Sequence, residues 1–192
     1  QPRSDNGMYE FSMIRSVDKG LTLAGVYNRI EPKVHVPAGF IPNVDFDRFL
    51  GIVKYSFRRE GKWIEKLYLA FWKTNVNSIS CGSMLQDTSE FVLGITTKDR
   101  IDLTAAYGFG HVRAKIFGEN NGIVVDKKKY PSRLFTTNLS YMGSRVVQFG
   151  VDAIMAKDYV YNEDFSGTLP GKFRQGNSWI NFKISPQLQL RL

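Results

Sequence analysis

The stretch FVLGITTKDRIDLTAAYGFG, residues 91–110, decides the fold class. Its odd positions are mostly apolar on both sides of the polar triplet Lys98-Asp99-Arg100. Because side chains that alternate with a period of two lie on opposite faces of a strand, the stretch predicts an antiparallel hairpin. A water-facing sheet usually fills its second face with Lys, Glu and Thr, whereas here that face is small, neutral or carries an isolated charge, which favours a narrow polar lumen. The residues of that face are Gly94, Thr96, Asp102, Thr104, Ala106, Gly108 and Gly110.

The same alternation runs from Met8 to Leu192 and divides the chain into about ten strands. The predicted strands are 8–17, 20–30, 46–58, 62–75, 90–97, 100–113, 133–143, 145–161, 178–185 and 187–192. The tight turns are Asp18-Lys19-Gly20, Glu60-Gly61-Lys62, Lys98-Asp99-Arg100, Gly143-Ser144 and Pro186-Gln187, and the long connections are 31–45, 76–89, 114–132 and 162–177. Every proline is expected outside a strand or at a turn, because proline has no N–H to donate to a sheet.

These elements predict an all-β fold. We expect an antiparallel up-and-down β-barrel of about ten strands, with short turns at one end and long loops at the other. Nothing in the composition shifts enough to indicate two domains, so residues 1–192 are taken as a single β-barrel domain.

The composition excludes several classes of protein. No apolar run approaches the roughly 18 residues that a membrane-spanning helix needs. A single cysteine, Cys81, excludes an intramolecular disulfide. The net charge of +8 favours anionic partners, but the charges are scattered and the one cluster, Lys127-Lys128-Lys129, is typical of a solvated loop. Nucleic-acid binding is therefore not expected.

The two faces of the predicted strands differ along the whole chain. One is apolar, and the other mixes polar residues with charges of both signs. A sheet in a bilayer needs apolar side chains outside and tolerates polar ones inside. With its segments of about ten residues, its tight turns and its long loops, the chain resembles Gram-negative outer-membrane β-barrel proteins. Aromatic residues near strand ends match the aromatic girdle of that class: Tyr27, Phe57, Trp63, Tyr107, Phe109, Tyr141 and Tyr159.

Two features depart from this class. The tight turns follow the first, third, fifth, seventh and ninth predicted strands, which puts both termini on the loop side. The last strand, QLQLRL at 187–192, is short and does not end in an aromatic residue. Three alternatives stay open: a missed strand, a chain that is part of a larger barrel, or a protein outside the membrane.

The resemblance implies a passive, porin-like pore or a structural or adhesive surface protein in the bacterial outer membrane. Its partners would be membrane lipid and small polar or anionic solutes. The alternative is a soluble, secreted or periplasmic lipocalin-like barrel that turns its apolar face inward around a hydrophobic ligand. Alternation does not separate inside from outside, although glycine and alanine would be poor choices for a water-facing wall. Oligomeric state is not predicted.

Strand parity alone selects the residues expected in the lumen and at a solute-binding site. Opposed charges across a lumen restrict passage to small polar solutes. A lumen filled by its own side chains is the alternative, because barrels of about eight strands are just that narrow. The selected residues are Arg48, Lys54, Lys66, Asp102, Asp152, Lys183 and Arg191.

No catalytic residue, metal ligand or cofactor site is predicted. Of the two histidines, His35 falls in a long loop and His111 falls on the apolar face of a predicted strand. No nucleophile motif accompanies them, and Cys81 is interpreted as a bystander thiol. A barrel enzyme acting on lipid or peptide would gain weight only if His111 and a Ser or Asp proved to be neighbours.

Overall fold

The computed structural model describes residues 7–31, 45–58, 63–117, 123–125, 127–144, 146–161, 168–183 and 189–191. Every regular element in these ranges is a β-strand. A helix long and apolar enough to cross a membrane does not occur among them. The strands are β1 (Met8–Arg15), β2 (Gly20–Ile30), β3 (Phe46–Arg58), β4 (Ile64–Asn77), β5 (Met84–Thr97), β6 (Ile101–Val112), β7 (Lys115–Phe117), β8 (Ile123–Val125), β9 (Tyr130–Tyr141), β10 (Val147–Tyr161), β11 (Thr168–Lys183) and β12 (Gln189–Arg191).

Nine long strands form one antiparallel meander in the order β1-β2-β3-β4-β5-β6-β9-β10-β11, and the short β12 pairs with the end of β11. The strands β7 and β8 form a separate hairpin within the connection between β6 and β9. The prediction of an all-antiparallel β-protein is confirmed. Among the described residues no ladder joins β1 to β11 or β12, so closure into a barrel is not observed there.

The predicted strand bounds hold well except at β5, β9 and β11. The structure begins β5 at Met84 and β11 at Thr168, whereas the sequence pattern places these starts at 90 and 178. The connections 78–83 and 162–167 are therefore short, and the predictions of long loops at 76–89 and 162–177 are wrong. Long connections remain only at 31–45 and at 113–129, so the predicted contrast between an end with short turns and an end with long loops is limited to these two. The connection 113–129 contains the β7–β8 hairpin.

The prediction that every proline avoids the strands is also wrong. Pro131 pairs with His111 in β9, and Pro170 pairs with Tyr159 in β11. At each of these positions the described sheet has a neighbouring strand on one side only, which is the edge-like setting in which proline is tolerated within a strand. The other prolines, like His35 and the turns at 60–62 and 186–187, lie outside the described residues.

The tight turn between β5 and β6 is confirmed. The Arg100 N–H donates to the Thr97 carbonyl at 3.0 Å, and Arg100 has a positive φ of 58°. The Thr97 hydroxyl accepts from the Ile101 N–H at 3.0 Å and so closes the turn a second time. The next connection is tied to this turn, since the Met142 N–H donates to the Arg100 carbonyl at 3.0 Å.

The register confirms the division into two faces from β1 to β10, whereas in β11 it places Phe173 and Trp179 on the polar face and Lys172 and Arg174 on the apolar face. We call the polar face the one formed by even-numbered residues of β1–β6, β9 and β10 and by odd-numbered residues of β11 and β12; the opposite side is the apolar face. The buried core cluster lies on the polar face, where Ala70, Val92 and Ala106 are direct cross-strand neighbours with Tyr68 packed against them. The apolar face is exposed. Phe91 on this face is 56% exposed.

Candidate functional site

The polar face carries all seven residues selected from strand parity. Ladder pairing puts Arg48 opposite Asn28, Asp102 opposite Thr96 and Asp152 opposite Asn138. The backbones of Lys183 and Arg191 fall on the same face at the β11–β12 pairing. The side chains of these last two residues lie outside the described part, so the contacts below concern the other five.

Arg48 is held by a polar chain that crosses three strands. Its Nη2 donates to Asn28 Oδ1 at 2.9 Å, and Asn28 Nδ2 donates to Glu10 Oε2 at 2.6 Å. Asn28 is buried, so a partner for each half of its amide removes the cost of burying it. The arrangement ties Arg48 of β3 to β1, the edge strand.

Lys54 is held by an aromatic ring and not by an acid. Its Nζ lies 4.4 Å from the centroid of the Tyr68 ring, within the range of a cation–π interaction. The Tyr68 hydroxyl is 3.4 Å from Thr104 Oγ1, which fixes the ring across the sheet. Gly94 leaves room for this ring, because a β-carbon there would overlap it. Gly150 makes the same space for Trp179.

Lys66 and Asp102 do not pair with each other. Lys66 Nζ is 3.4 Å from Asp18 Oδ1, in the turn between β1 and β2. Asp102 accepts from Thr96 Oγ1 at 2.6 Å. The guanidinium of Arg58, and after it Lys66, lower the pKa of the Asp18 carboxyl. The two charges thus have separate partners, although both residues lie in the same cross-strand row, on either side of Thr96.

Asp152 accepts from Asn177 Nδ2 at 2.8 Å. Among the five predicted residues whose side chains are described, no ion pair joins any two. An ion-pair ladder made from this set is therefore not formed by them. Each charge is instead held by a neutral partner or, at the rim, by Asp18.

A cavity of about 650 Å³ opens at the loop end of the polar face. It spans β3 to β6, β9 and β10 and is lined by Arg48, Glu90, Arg113 and Asp158, among others. The Arg113 N–H donates to the Leu85 carbonyl at 2.7 Å, while its buried Nε has no hydrogen-bond partner among the described residues. A volume of this size suits a small solute, and the guanidinium groups offer fixed donors to an anionic one.

Glu90 and Arg113 line this cavity but were not predicted from the sequence as site residues. Glu90 is even-numbered, like the other residues of the polar face in its strand, and it is the first residue of the predicted strand 90–97. Its place on the polar face could therefore have been predicted. Arg113 has the opposite parity and gave no signal. It lines the cavity because β6 ends at Val112 and the chain turns there.

His111 lies opposite Asp87 at the loop end of the apolar face. Asp87 forms an ion pair with Lys73, and Lys73 Nζ also donates to Ser89 Oγ at 3.4 Å. Asp87 is thus a cross-strand neighbour of His111, but among the described residues no hydrogen bond joins His111 to Asp87 or to Ser89. No group of His, Cys, Asp or Glu among the described residues is arranged to hold a metal ion.

Cys81 is exposed in the connection between β4 and β5. Hydrogen bonds from Ser78, and after it from Ser83, lower the pKa of its thiol. No base lies among these contacts, and they make the thiol a useful chemical probe of the loop end.

Comparisons of the chain with protein-family models, with curated proteins and with solved structures found no match. The two faces of the sheet and the side chains that they carry are therefore the features that indicate a function.

Proposed function

We propose that this chain forms the wall of an outer-membrane β-barrel, with its apolar face against lipid and its polar face lining a pore for small polar or anionic solutes. The observation that carries the proposal is the exposed apolar face. Its residues form continuous cross-strand rows, such as Phe71, Phe91, Tyr107, Phe135 and Met155.

The area of this face is larger than a soluble monomer usually exposes. The eight strands β1–β6, β9 and β10, spaced about 4.8 Å apart and with roughly 13–26 Å of apolar strand each, give a surface on the order of 750 Å². The largest apolar patch on a typical soluble monomer is roughly 300–600 Å². Contact with lipid removes this difficulty, since lipid tails are the natural environment of such a face.

The height of the apolar band also suits a bilayer. On β3 it runs from Phe49 to Phe57, and on β10 from Val147 to Met155. Eight residue steps cover about 26 Å of strand at roughly 3.3 Å each. If the strands are tilted by roughly 35–45°, as in outer-membrane barrels, the vertical height of this band is about 20 Å. The apolar band of outer-membrane barrels is roughly 25 Å tall.

The pattern of burial favours this proposal over a lipocalin-like carrier. A carrier would turn its large apolar side chains inward around the ligand. Here most buried positions within the strands are small or polar residues of the opposite face, such as Ser56, Ala106 and Ser140, while Phe49 is 49% exposed. The buried apolar side chains of Leu85, Val112 and Tyr130 lie at strand ends.

A sheet in lipid must have no free edge, because lipid offers no hydrogen bonds to unpaired backbone groups. With β12 the sheet has ten strands, so β1 and β12 run in opposite directions. Their free edges can therefore join as one more antiparallel pair over the three residues of β12, which leaves part of the eight-residue β1 to be covered by other segments. We propose this closure in the membrane; further strands from a larger barrel would be the other way to cover the edges.

The environment is tested by extraction. We expect the purified chain to need detergent, and to insert into lipid vesicles with its β-sheet circular dichroism intact. A folded monomer that remains in detergent-free buffer would contradict the proposal.

The pore is tested by conductance across a planar bilayer. Removing two cations of the polar face, Lys54→Gln with Lys66→Gln, should lower the ratio of anion to cation permeability. The matched control removes two exposed turn cations, Lys19→Gln with Lys98→Gln, and should leave that ratio as it is. Unchanged selectivity in the first variant, or no conductance in the parent protein, would overturn the pore.

A further inference from the structure

Four basic side chains gather at one border of the apolar face. Lys157 of β10 is the direct cross-strand neighbour of Arg133 on one side and of Lys172 on the other. Arg174 lies two residues further along β11, opposite Met155. All four cations are exposed. We call Arg133, Lys157, Lys172 and Arg174 the basic border patch.

No acid in the part of the chain that the structure describes pairs with this patch. None of its four side chains makes an ion pair or a hydrogen bond with a described residue. Lys73, in the same cross-strand row, differs because Asp87 neutralises it. Like charges directly opposite each other destabilise a sheet, so four neighbouring cations are unfavourable unless an anion from outside joins them.

The patch borders an apolar groove of about 190 Å³. The floor of this groove is formed by Tyr107, Phe135 and Met155, which belong to the next cross-strand row of the apolar band. Cations therefore stand at the point where the apolar band ends. A ligand that fits must carry negative charge beside a hydrocarbon portion.

We propose that the basic border patch binds the phosphate groups of an anionic lipid, whose acyl chain lies in the groove on Tyr107, Phe135 and Met155. This inference rests on the proposed lipid contact of the apolar face. Guanidinium groups suit phosphate because they donate two parallel hydrogen bonds, and the lysines add charge. A free phosphate ion would use the cations but leave the apolar floor unoccupied.

The test measures lipid binding to the full chain in neutral detergent, with fluorescent phosphatidylglycerol and phosphatidylcholine of the same acyl chains. We expect phosphatidylglycerol to bind roughly tenfold more tightly or better, and to weaken as salt rises. The variant R133Q/K157Q/K172Q/R174Q should reduce this preference to near one. The control K19Q/K98Q/K127Q/K129Q removes the same charge from exposed turns and loops and should keep the preference.

If the quadruple variant does not fold, K157Q at the centre of the patch should still lower the preference about threefold. Equal binding of the two lipids by the parent protein, or an unchanged preference in the patch variants, would overturn the inference. Displacement of the lipid by millimolar inorganic phosphate would identify an anion site without a lipid and overturn it too. A chain that needs no detergent would instead refute the proposed function, so the two failures are distinguishable.

Discussion

At Gly110 the backbone of β6 passes so close to β5 that a β-carbon would overlap the Asp87 carbonyl. We expect Gly110→Ala to lower the free energy of unfolding in detergent by about 1–3 kcal/mol, the usual cost of overpacking. Gly25→Ala is the matched control, because a β-carbon there meets no atom within 4 Å. Urea titration of both variants checks this, and equal stabilities would contradict the close approach.

Asp18 gives a prediction about pH. Arg58 and then Lys66 favour its carboxylate and hold its pKa below the ordinary value of 3.8. The stabilisation from these contacts is present above 3.8 and is lost as pH falls through the lowered pKa. We expect the carboxyl chemical shift of Asp18 to titrate below 3.8 and to move back toward 3.8 in Arg58→Gln. A midpoint unaffected by that substitution would argue against the ion pair.

The faces of individual residues could be predicted from the sequence, but their partners could not. Parity placed Lys54 and Asp102 on the polar face because a strand alternates strictly. That Lys54 meets the Tyr68 ring depends on which strands are neighbours and on the space above Gly94. The position of Arg113 could not be predicted because it follows the end of β6, where the alternation of side chains between the two faces stops.

Whether the sheet keeps a free edge can be tested at the edge strand β1. All its residues are exposed, and it pairs only with β2. If the barrel closes in lipid as proposed, the outward-facing β1 amides that lie against the three residues of β12 acquire a partner and should be protected from hydrogen exchange. The control is β2, which has a partner on both sides. Exchange of those β1 amides in lipid nanodiscs that is as rapid as in an unpaired strand would show that the edge stays free.

The connection between β4 and β5 is tested through Cys81. The hydrogen bonds from Ser78 and Ser83 that lower its thiol pKa increase the thiolate fraction at neutral pH. Ser83→Ala should therefore slow alkylation by a maleimide a few-fold at pH 7, while Ser16→Ala at the opposite end should not. A rate that does not change in Ser83→Ala would rule out this effect.

The start of β11 shows why a strand was missed. The residues Thr168–Asn177 include Pro170, Gly171 and Gly176, which indicate turns when considered locally. The long strand β10 offers them partners from Tyr161 down to Asp152, and this pairing prevails over local preference. Such a non-local partner is not visible in a short window of sequence.

For the whole molecule, alternation predicted the antiparallel meander but left inside and outside open. Either face of an alternating sheet can be buried, and only the curvature of the assembled strands decides. The structure buries Ala70, Val92 and Ala106 and exposes Phe91 and Leu93 of the opposite face. The proposed membrane wall depends on this choice.

The most direct test of the account measures what each face touches. Spin labels in a Cys81→Ser background would be placed on the apolar face at Leu93 and Leu103, and on the polar face at Thr88 and Thr104. In lipid vesicles we predict that oxygen relaxes the first pair more strongly and that a water-soluble nickel complex relaxes the second pair more strongly. Nickel access that is equal on both faces, or greater at Leu93 and Leu103, would contradict the central claim that the apolar face meets lipid.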